Sequence, residues 1–285
     1  MFWNILVNEN TKILKRRLFW VEIVLLTLIV VGILLALFIT VETERGGAGM
    51  LSDERRMLLE TLTWPEAWNN IIRLAGWDGL GPVFLIILVG AVTAQEYTWR
   101  TLHLSLSRGV SRSKLLVAKL TALLIAGVMI VIAVLVSGGL TTAIFSTMIN
   151  GSLNLHQLDV LHLILSIVRA TYTMLPYACL AFFLAVASRS SVVAISGGLV
   201  FILVIENLIV SGAGMLGERF AHLVLNLPGG LANSLLALNN ASLGMASSSE
   251  MSIVSPMHAV IGIAAWTILF LGLSLLVFQR QDLAA

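Results

Sequence analysis

Six long apolar runs constrain this chain more than any other feature. A helix that crosses a bilayer needs about 20 mostly apolar residues. Runs at about residues 19–41, 80–95, 115–136, 164–187, 192–210 and 259–278 meet or approach that length. The second is short, so it starts as early as Trp77 or continues as helix into the loop that follows. Between them the runs leave room for loops and surface helices but not for a separate soluble domain. The expectation is therefore an all-α integral membrane protein, with residues 1–285 forming one six-transmembrane-helix bundle. Composition agrees: 58% of residues are hydrophobic and 11% charged, against roughly 25% charged in soluble domains. That excludes a water-soluble globule. The single cysteine, Cys179, excludes an intrachain disulfide framework and a cysteine-rich metal site.

The placement of charge gives sidedness. Lys12, Lys15, Arg16 and Arg17 precede the first run, and Arg100, Arg108, Arg112, Lys114 and Lys119 follow the second. Arg189 separates the fourth and fifth runs, and Arg280 follows the last. All these segments belong to one side. On the other side, residues 146–160 carry no Lys or Arg, and the long stretch after the fifth run carries only Arg219. The first outer loop departs from the pattern with Arg45, Arg55, Arg56 and Arg73, interspersed with acids that count little in the positive-inside rule. Both termini are therefore expected in the cytoplasm of a multi-pass plasma-membrane protein, bacterial by expectation. The first run is too long for the apolar core of a signal peptide and is expected to stay in the mature protein.

Two amphipathic segments flank the first runs. Phe2, Ile5, Leu6, Ile13 and Leu14 form an apolar stripe over residues 2–18, as in a helix lying in the inner interface. A charged topological anchor is the alternative. In the first outer loop, Thr63 and Glu66 have capping-box spacing, and Trp64, Trp68, Ile71, Ile72 and Ala75 share one helical face. Its tryptophans suit the outer membrane interface. The Gly-, Ser- and Asn-rich stretch from Gly212 to Pro256 is a long outer segment. Its apolar portion around Leu231 to Leu238 could dip back towards the membrane under cover of other helices.

Inside the runs, Arg169 and Glu206 sit at compatible depths in the outer halves of the fourth and fifth. Intramembrane charges normally face inward and pair, so an Arg169–Glu206 ion pair is expected, structural in role more than in substrate handling; an interface arginine that snorkels is the alternative if the fourth run starts at Arg169. Glu22, near the inner end of the first run, is placed to reach the Lys15 to Arg17 cluster. Gly138-Gly139 and Gly197-Gly198 read as close helix contacts. His156, Asp159 and His162 form only a weak metal-binding pattern, and polar residues at a helix entrance more often face headgroups and water.

No G-x-x-x-x-G-K-[ST], H-E-x-x-H or G-x-S-x-G occurs. Any ATP must be handled by a partner. Gly212, Gly214 and Gly217 match G-x-G-x-x-G, but they follow a membrane helix with no βαβ unit around them and read as a flexible exit.

The most informative stretch is QEYTWRTLHLSLSRGVSRSKLLVAK, Gln95 to Lys119. Trp99, Leu102 and Leu106 recur at helical spacing, Arg100 and His103 lie off that stripe, and Arg108, Gly109 and Ser111 break the helix before Lys114. A stiff element joined to two spans, with an apolar edge and orienting cations, can transmit motion. An ordinary positive-inside loop would show the same composition. The order Glu96, Thr101-Leu102, Leu106-Ser107-Arg108, Ser111-Arg112, Leu115-Leu116 and Ala118-Lys119 resembles the corresponding loop of ABC-type permeases of the second type. Gly109 stands where such members often have proline. Leu175-Pro176-Tyr177 and Arg189-Ser190-Ser191 agree more loosely.

The resemblance implies the transmembrane subunit of an exporter, with this loop as a cytoplasmic coupling helix seated on a separate ATPase. It makes Glu96, Arg100, Thr101, Leu102, Leu106, Arg108 and Arg112 candidates for the ATPase interface. Partners would be two ATPase subunits, a second permease copy in a homodimer or related heterodimer, and membrane lipids, with no nucleic acid. The chain itself would hold no cofactor, ATP and Mg belonging to the partner. The few charges within the runs favour a hydrophobic or amphipathic cargo such as a lipid, peptide antibiotic or drug. A non-transporting resistance or scaffold protein stays open as an alternative. An ion-coupled secondary transporter fits less well, because Glu206 is the only acid well inside a run.

Overall fold

A computed structural model describes residues 2–43, 52–77, 79–99, 111–152, 160–209, 224–241 and 254–281. Those residues form helices joined by turns, with no strand among them. In chain order the helices are α1 (Phe2–Leu14), α2 (Arg17–Thr43), α3 (Ser52–Leu62), α4 (Ala67–Ala75), α5 (Gly81–Thr98), α6 (Arg112–Asn150), α7 (Val160–Ser188), α8 (Ser191–Val200), α9 (Pro228–Ala241) and α10 (Pro256–Arg280). After Val200, α8 continues through a π-helical turn, Phe201–Ile205, and runs on to Ile209. Six helices are long and apolar enough to cross a membrane: α2, α5, α6, α7, the α8 unit and α10.

Burial divides these six into two classes. Most of α5, α6 and α7 is buried within the chain, whereas α2, α8 and α10 expose most of their surface. The exposed side chains are themselves apolar: Trp20, Val24, Leu28 and Ile39 on α2, Val192 and Leu208 on the α8 unit, Ile268 and Leu276 on α10. In water such faces would be costly. Against hydrocarbon they cost nothing, so the composition that excludes a soluble globule is placed where lipid or another apolar surface would meet it. The core joins α5 to α7 through residues such as Leu85, Ile86, Leu88, Tyr177 and Phe182.

The third span differs most from the sequence expectation. It was expected to end near residue 136, yet α6 runs to Asn150 and spans about 58 Å at 1.5 Å per residue, well beyond a hydrocarbon core of about 30 Å. Polar residues lower the hydropathy of its distal part without breaking the helix, because their hydroxyls bond back to the preceding turn. Ser137 Oγ donates to the Ala133 carbonyl at 2.7 Å, Thr141 Oγ1 to Ser137 at 2.8 Å and Thr142 Oγ1 to Gly138 at 2.9 Å. Gly151, at φ 72°, ends the helix in the left-handed conformation.

That distal part of α6 receives α4, correcting two expectations. Thr63 Oγ1 does not cap α4; it donates to the Leu59 carbonyl at 2.8 Å, and the Glu66 backbone is helical with no side-chain cap. The shared face of α4 does exist, but it lies on protein. Trp64 Nε1 donates to Thr142 Oγ1 at 3.0 Å, Trp68 Nε1 to Ser166 Oγ at 3.3 Å, and Ile71, Ile72 and Ala75 are buried. Gly138 makes the contact possible, since a Cβ there would lie 2.8 Å from Ile71 Cγ2. Gly198 does the same for Ile86 on α5, at 2.7 Å. Both glycine pairs were expected to mark close packing, and these two glycines do.

At the N-terminus the helix is shorter than the expected 2–18. It stops at Leu14, and the chain turns through Lys15 and Arg16 into α2. Glu22 does not reach the basic cluster: its side chain is buried, and neither carboxylate oxygen has a hydrogen-bond partner among the described residues.

Candidate functional site

The basic loop's central residues, Arg100, Thr101, Leu102, Leu106 and Arg108, lie outside the described residues, as does the side chain of Arg112. What the structure does describe is the root of that loop, the end of α5 and the start of α6. A buried charge network sits there. Glu96 of α5 pairs with Lys119 of α6, and Lys119 Nζ also reaches Glu9 Oε2 of α1 at 3.1 Å. Glu9 Oε1 in turn takes Lys12 Nζ at 2.5 Å. Glu9, Glu96 and Lys119 are each only 3–4% exposed.

Three helices are locked through one ammonium group. Two carboxylates and two ammoniums balance to zero, which is what makes burial of so many charges tolerable. Burial pushes the Glu9 carboxyl up, but the positive charges of Lys119 and Lys12 outweigh it and hold the group below its ordinary value. The pattern follows from the sequence at each helix. In α1, Leu6, Glu9 and Ile13 share the buried face, so the acid is carried inward with the apolar stripe. Lys119 lies two turns into α6 among Leu115, Leu116 and Leu123.

A second layer surrounds the network. Arg16, in the turn between α1 and α2, donates from Nη1 to Gln95 Oε1 at 2.5 Å, and its guanidinium lies 5.3 Å from the Trp99 ring centroid. Arg189, at φ 55° in the turn between α7 and α8, places its guanidinium 6.0 Å from the Tyr97 ring. Gln281, just after α10, donates to the Val186 carbonyl at 2.7 Å. A small cavity of about 10 Å³, room for one water, lies between Thr93, Tyr97, Leu116, Lys119 and Phe278. The loop is therefore rooted in a rigid junction of α1, α5, α6, α7 and α10.

The other expected site residues are not brought together. Arg169 Nη1 donates to Asn239 Oδ1 of α9 at 2.7 Å. Glu206 accepts from Tyr177 Oη at 2.7 Å and from the Gly229 backbone N–H at 3.1 Å. The expected Arg169–Glu206 ion pair does not form. Instead, α9 supplies a neutral partner for each. The carboxylate meets the first turn of α9, where unpaired N–H groups favour an anion. Trp77 stacks on Tyr177 at 6.4 Å and donates to Asn233 Oδ1 at 2.8 Å, so three residues outside α9 tie it to the spans. In the apolar portion of the long segment, Leu231, Leu235 and Leu236 are buried, the first two against Ala259 and Ile263 of α10.

Of the metal pattern, His156 and Asp159 lie outside the described residues, and so does the His162 side chain. His258 Nε2 is 2.8 Å from Asn226 Oδ1. No cluster of three metal-ligating side chains occurs among the described residues.

Glu9 was missed as a functional candidate. Its signal was present: an acid on the apolar face of a segment followed by cations.

No curated protein matches the sequence. The family model for ABC-2 family transporter proteins matches residues 3–283, nearly the whole chain. With six apolar spans and a charged junction beneath the loop between the second and third, the protein is a multi-pass membrane permease that belongs to the ABC-2 transporter family.

Proposed function

We propose that the chain is the transmembrane subunit of an ATP-driven exporter whose ATP is hydrolysed by a separate subunit seated against residues 100–112. Members of this family work with an ATP-binding subunit. The observation that carries the reading is the Glu9–Lys119–Glu96 network, which joins the loop's two ends to α1 and to the bundle. A loop that merely connected two spans would need no buried charge at its root, where each ion's desolvation costs several kcal/mol. A loop that must deliver force needs stiff ends.

On this reading both termini are cytoplasmic, and Glu96, Arg100, Thr101, Leu102, Leu106, Arg108 and Arg112 lie at or beside the ATPase. Closure of the ATPase pair on ATP pushes the loops of two permease copies together. Each loop turns its rigid junction, the spans rock, and a path opens outward for a hydrophobic or amphipathic cargo such as a lipid, peptide antibiotic or drug. The apolar faces left open on α2, α8 and α10 are available to the second copy and to lipid.

The test is to reconstitute the permease with its ATPase and replace Arg108 with Ala and Glu96 with Gln separately. Assembly persists while transported cargo per ATP hydrolysed falls. Unchanged transport in both variants contradicts the assignment.

A further inference from the structure

The turn between α1 and α2 holds cations that the junction does not use. Arg16 is committed to Gln95 and Trp99, and Lys12 to Glu9. Lys15 and Arg17 are exposed and have no carboxylate partner among the described residues. They flank the start of α2, where the first-turn N–H groups have no intrahelical acceptor and the helix dipole favours negative charge. One indole covers the same turn, and a second lies in the first turn of α1, about 16 Å of helix from its end at Leu14. Trp20 is 53% exposed while its Nε1 donates to the Leu14 carbonyl at 2.8 Å, and Trp3 on α1 is 69% exposed. Val7, 49% exposed, extends the apolar edge of α1 beside Trp3.

The chemistry called for is an anion joined to an apolar body. A carboxylate side chain would satisfy the cations but not the indoles. A soluble anion would leave Trp3, Val7 and Trp20 in water. An anionic phospholipid supplies both parts: a phosphate for the cations and N–H groups, and glycerol and acyl chains for the rings, whose amphipathic character suits headgroup depth. We propose that this turn is a binding site for an anionic phospholipid of the inner leaflet, with Lys15 and Arg17 holding its phosphate. The proposal rests on the cytoplasmic placement of the N-terminus. It goes beyond general attraction of a basic segment to a membrane, because it assigns the selectivity to two named side chains.

The test uses the full-length permease in nanodiscs of phosphatidylcholine with a minority of phosphatidylglycerol, the retained lipid being counted by native mass spectrometry. The wild-type chain retains phosphatidylglycerol in preference to phosphatidylcholine, and inorganic phosphate does not displace it. A cation near an anionic surface is worth roughly fivefold in binding, so Lys15→Gln with Arg17→Gln lowers the preference about thirtyfold. Lys15→Gln alone lowers it about fivefold, which keeps the test open if the double variant folds poorly. Arg280→Gln, which removes an exposed cation at the end of α10, leaves the preference intact. Equal retention of the two lipids by the wild type overturns the proposal. So does an undiminished preference in Lys15→Gln, an equal loss in Arg280→Gln, or displacement by inorganic phosphate. Neither ATPase nor transport enters the measurement, so its failure is distinguishable from failure of the exporter reading.

Discussion

Replacing Lys119 with methionine removes one ammonium group and keeps the volume of the side chain. In the folded chain that ammonium joins Glu9 to Glu96, and all three groups are almost wholly buried. Without it Glu9 retains Lys12, but two carboxylates of like charge are left buried at the junction. Removing one partner from a buried ion pair costs about 3–5 kcal/mol, because the remaining charge has lost its compensation. Neutralising the whole network is a different perturbation. Glu9→Gln, Lys119→Met and Glu96→Gln together leave only the Lys12 ammonium, whose side chain is 35% exposed and can be solvated, so the triple variant is expected to be more stable than Lys119→Met alone. Equilibrium unfolding in mixed micelles measures both. The ratio of transport to ATP hydrolysis, measured on the assembled complex, then separates stability from transmission. The triple variant recovers stability but not coupling, since the three helices are no longer held through one charged centre. If Lys119→Met unfolds within about 0.5 kcal/mol of the wild type, the range of an ordinary surface substitution, the junction is not the rigid root described above.

Other expectations concern α9 and α1. Gly229→Ala places a methyl 2.6 Å from the Trp77 ring and 3.0 Å from the Glu206 carboxylate; it should cost about 1–3 kcal/mol and raise protease cleavage around α9. Exchanging the charges, Arg169→Glu with Glu206→Arg, rescues neither single variant, whereas a double-mutant cycle between Arg169 and Asn239 shows coupling of about 0.5–3 kcal/mol. The Glu9 carboxyl is held below its ordinary value, so its contribution to α1 docking is complete above about pH 5 and lost as pH falls through the lowered value. The protection of α1 backbone amides, taken relative to their intrinsic exchange rates at each pH, should therefore stay high from neutrality to about pH 5 and fall only below about pH 4.

The spans were legible because each is an apolar run that only a helix can carry across lipid. The length of α6 was not, because hydropathy sees Ser137, Thr141 and Thr142 as polar, while in the helix their hydroxyls are spent on the preceding turn. The destination of α4 was hidden for a related reason. A face with two tryptophans suits a membrane interface and a protein groove equally well, and only Gly138 with the hydroxyls of Thr142 and Ser166 decides for the groove. An expected depth for Arg169 and Glu206 does not fix direction around a helix, and both turned to α9. The root of the loop was half visible. Glu96 and Lys119 stood out as the ends of a recognisable pattern, while Glu9, 87 residues from Glu96 and 110 from Lys119 in sequence, is brought to them by the fold.

Photo-cross-linking from Leu106, in the permease purified with its ATPase, tests the central claim most directly. The account predicts a cross-link to the ATPase subunit that forms in intact complexes and is absent when the same cross-linker is placed at the exposed Met148, near the far end of α6. A cross-linker at Leu106 that reacts only with reagents added from outside the cell, or that never captures an ATPase in a transport-competent preparation, contradicts it.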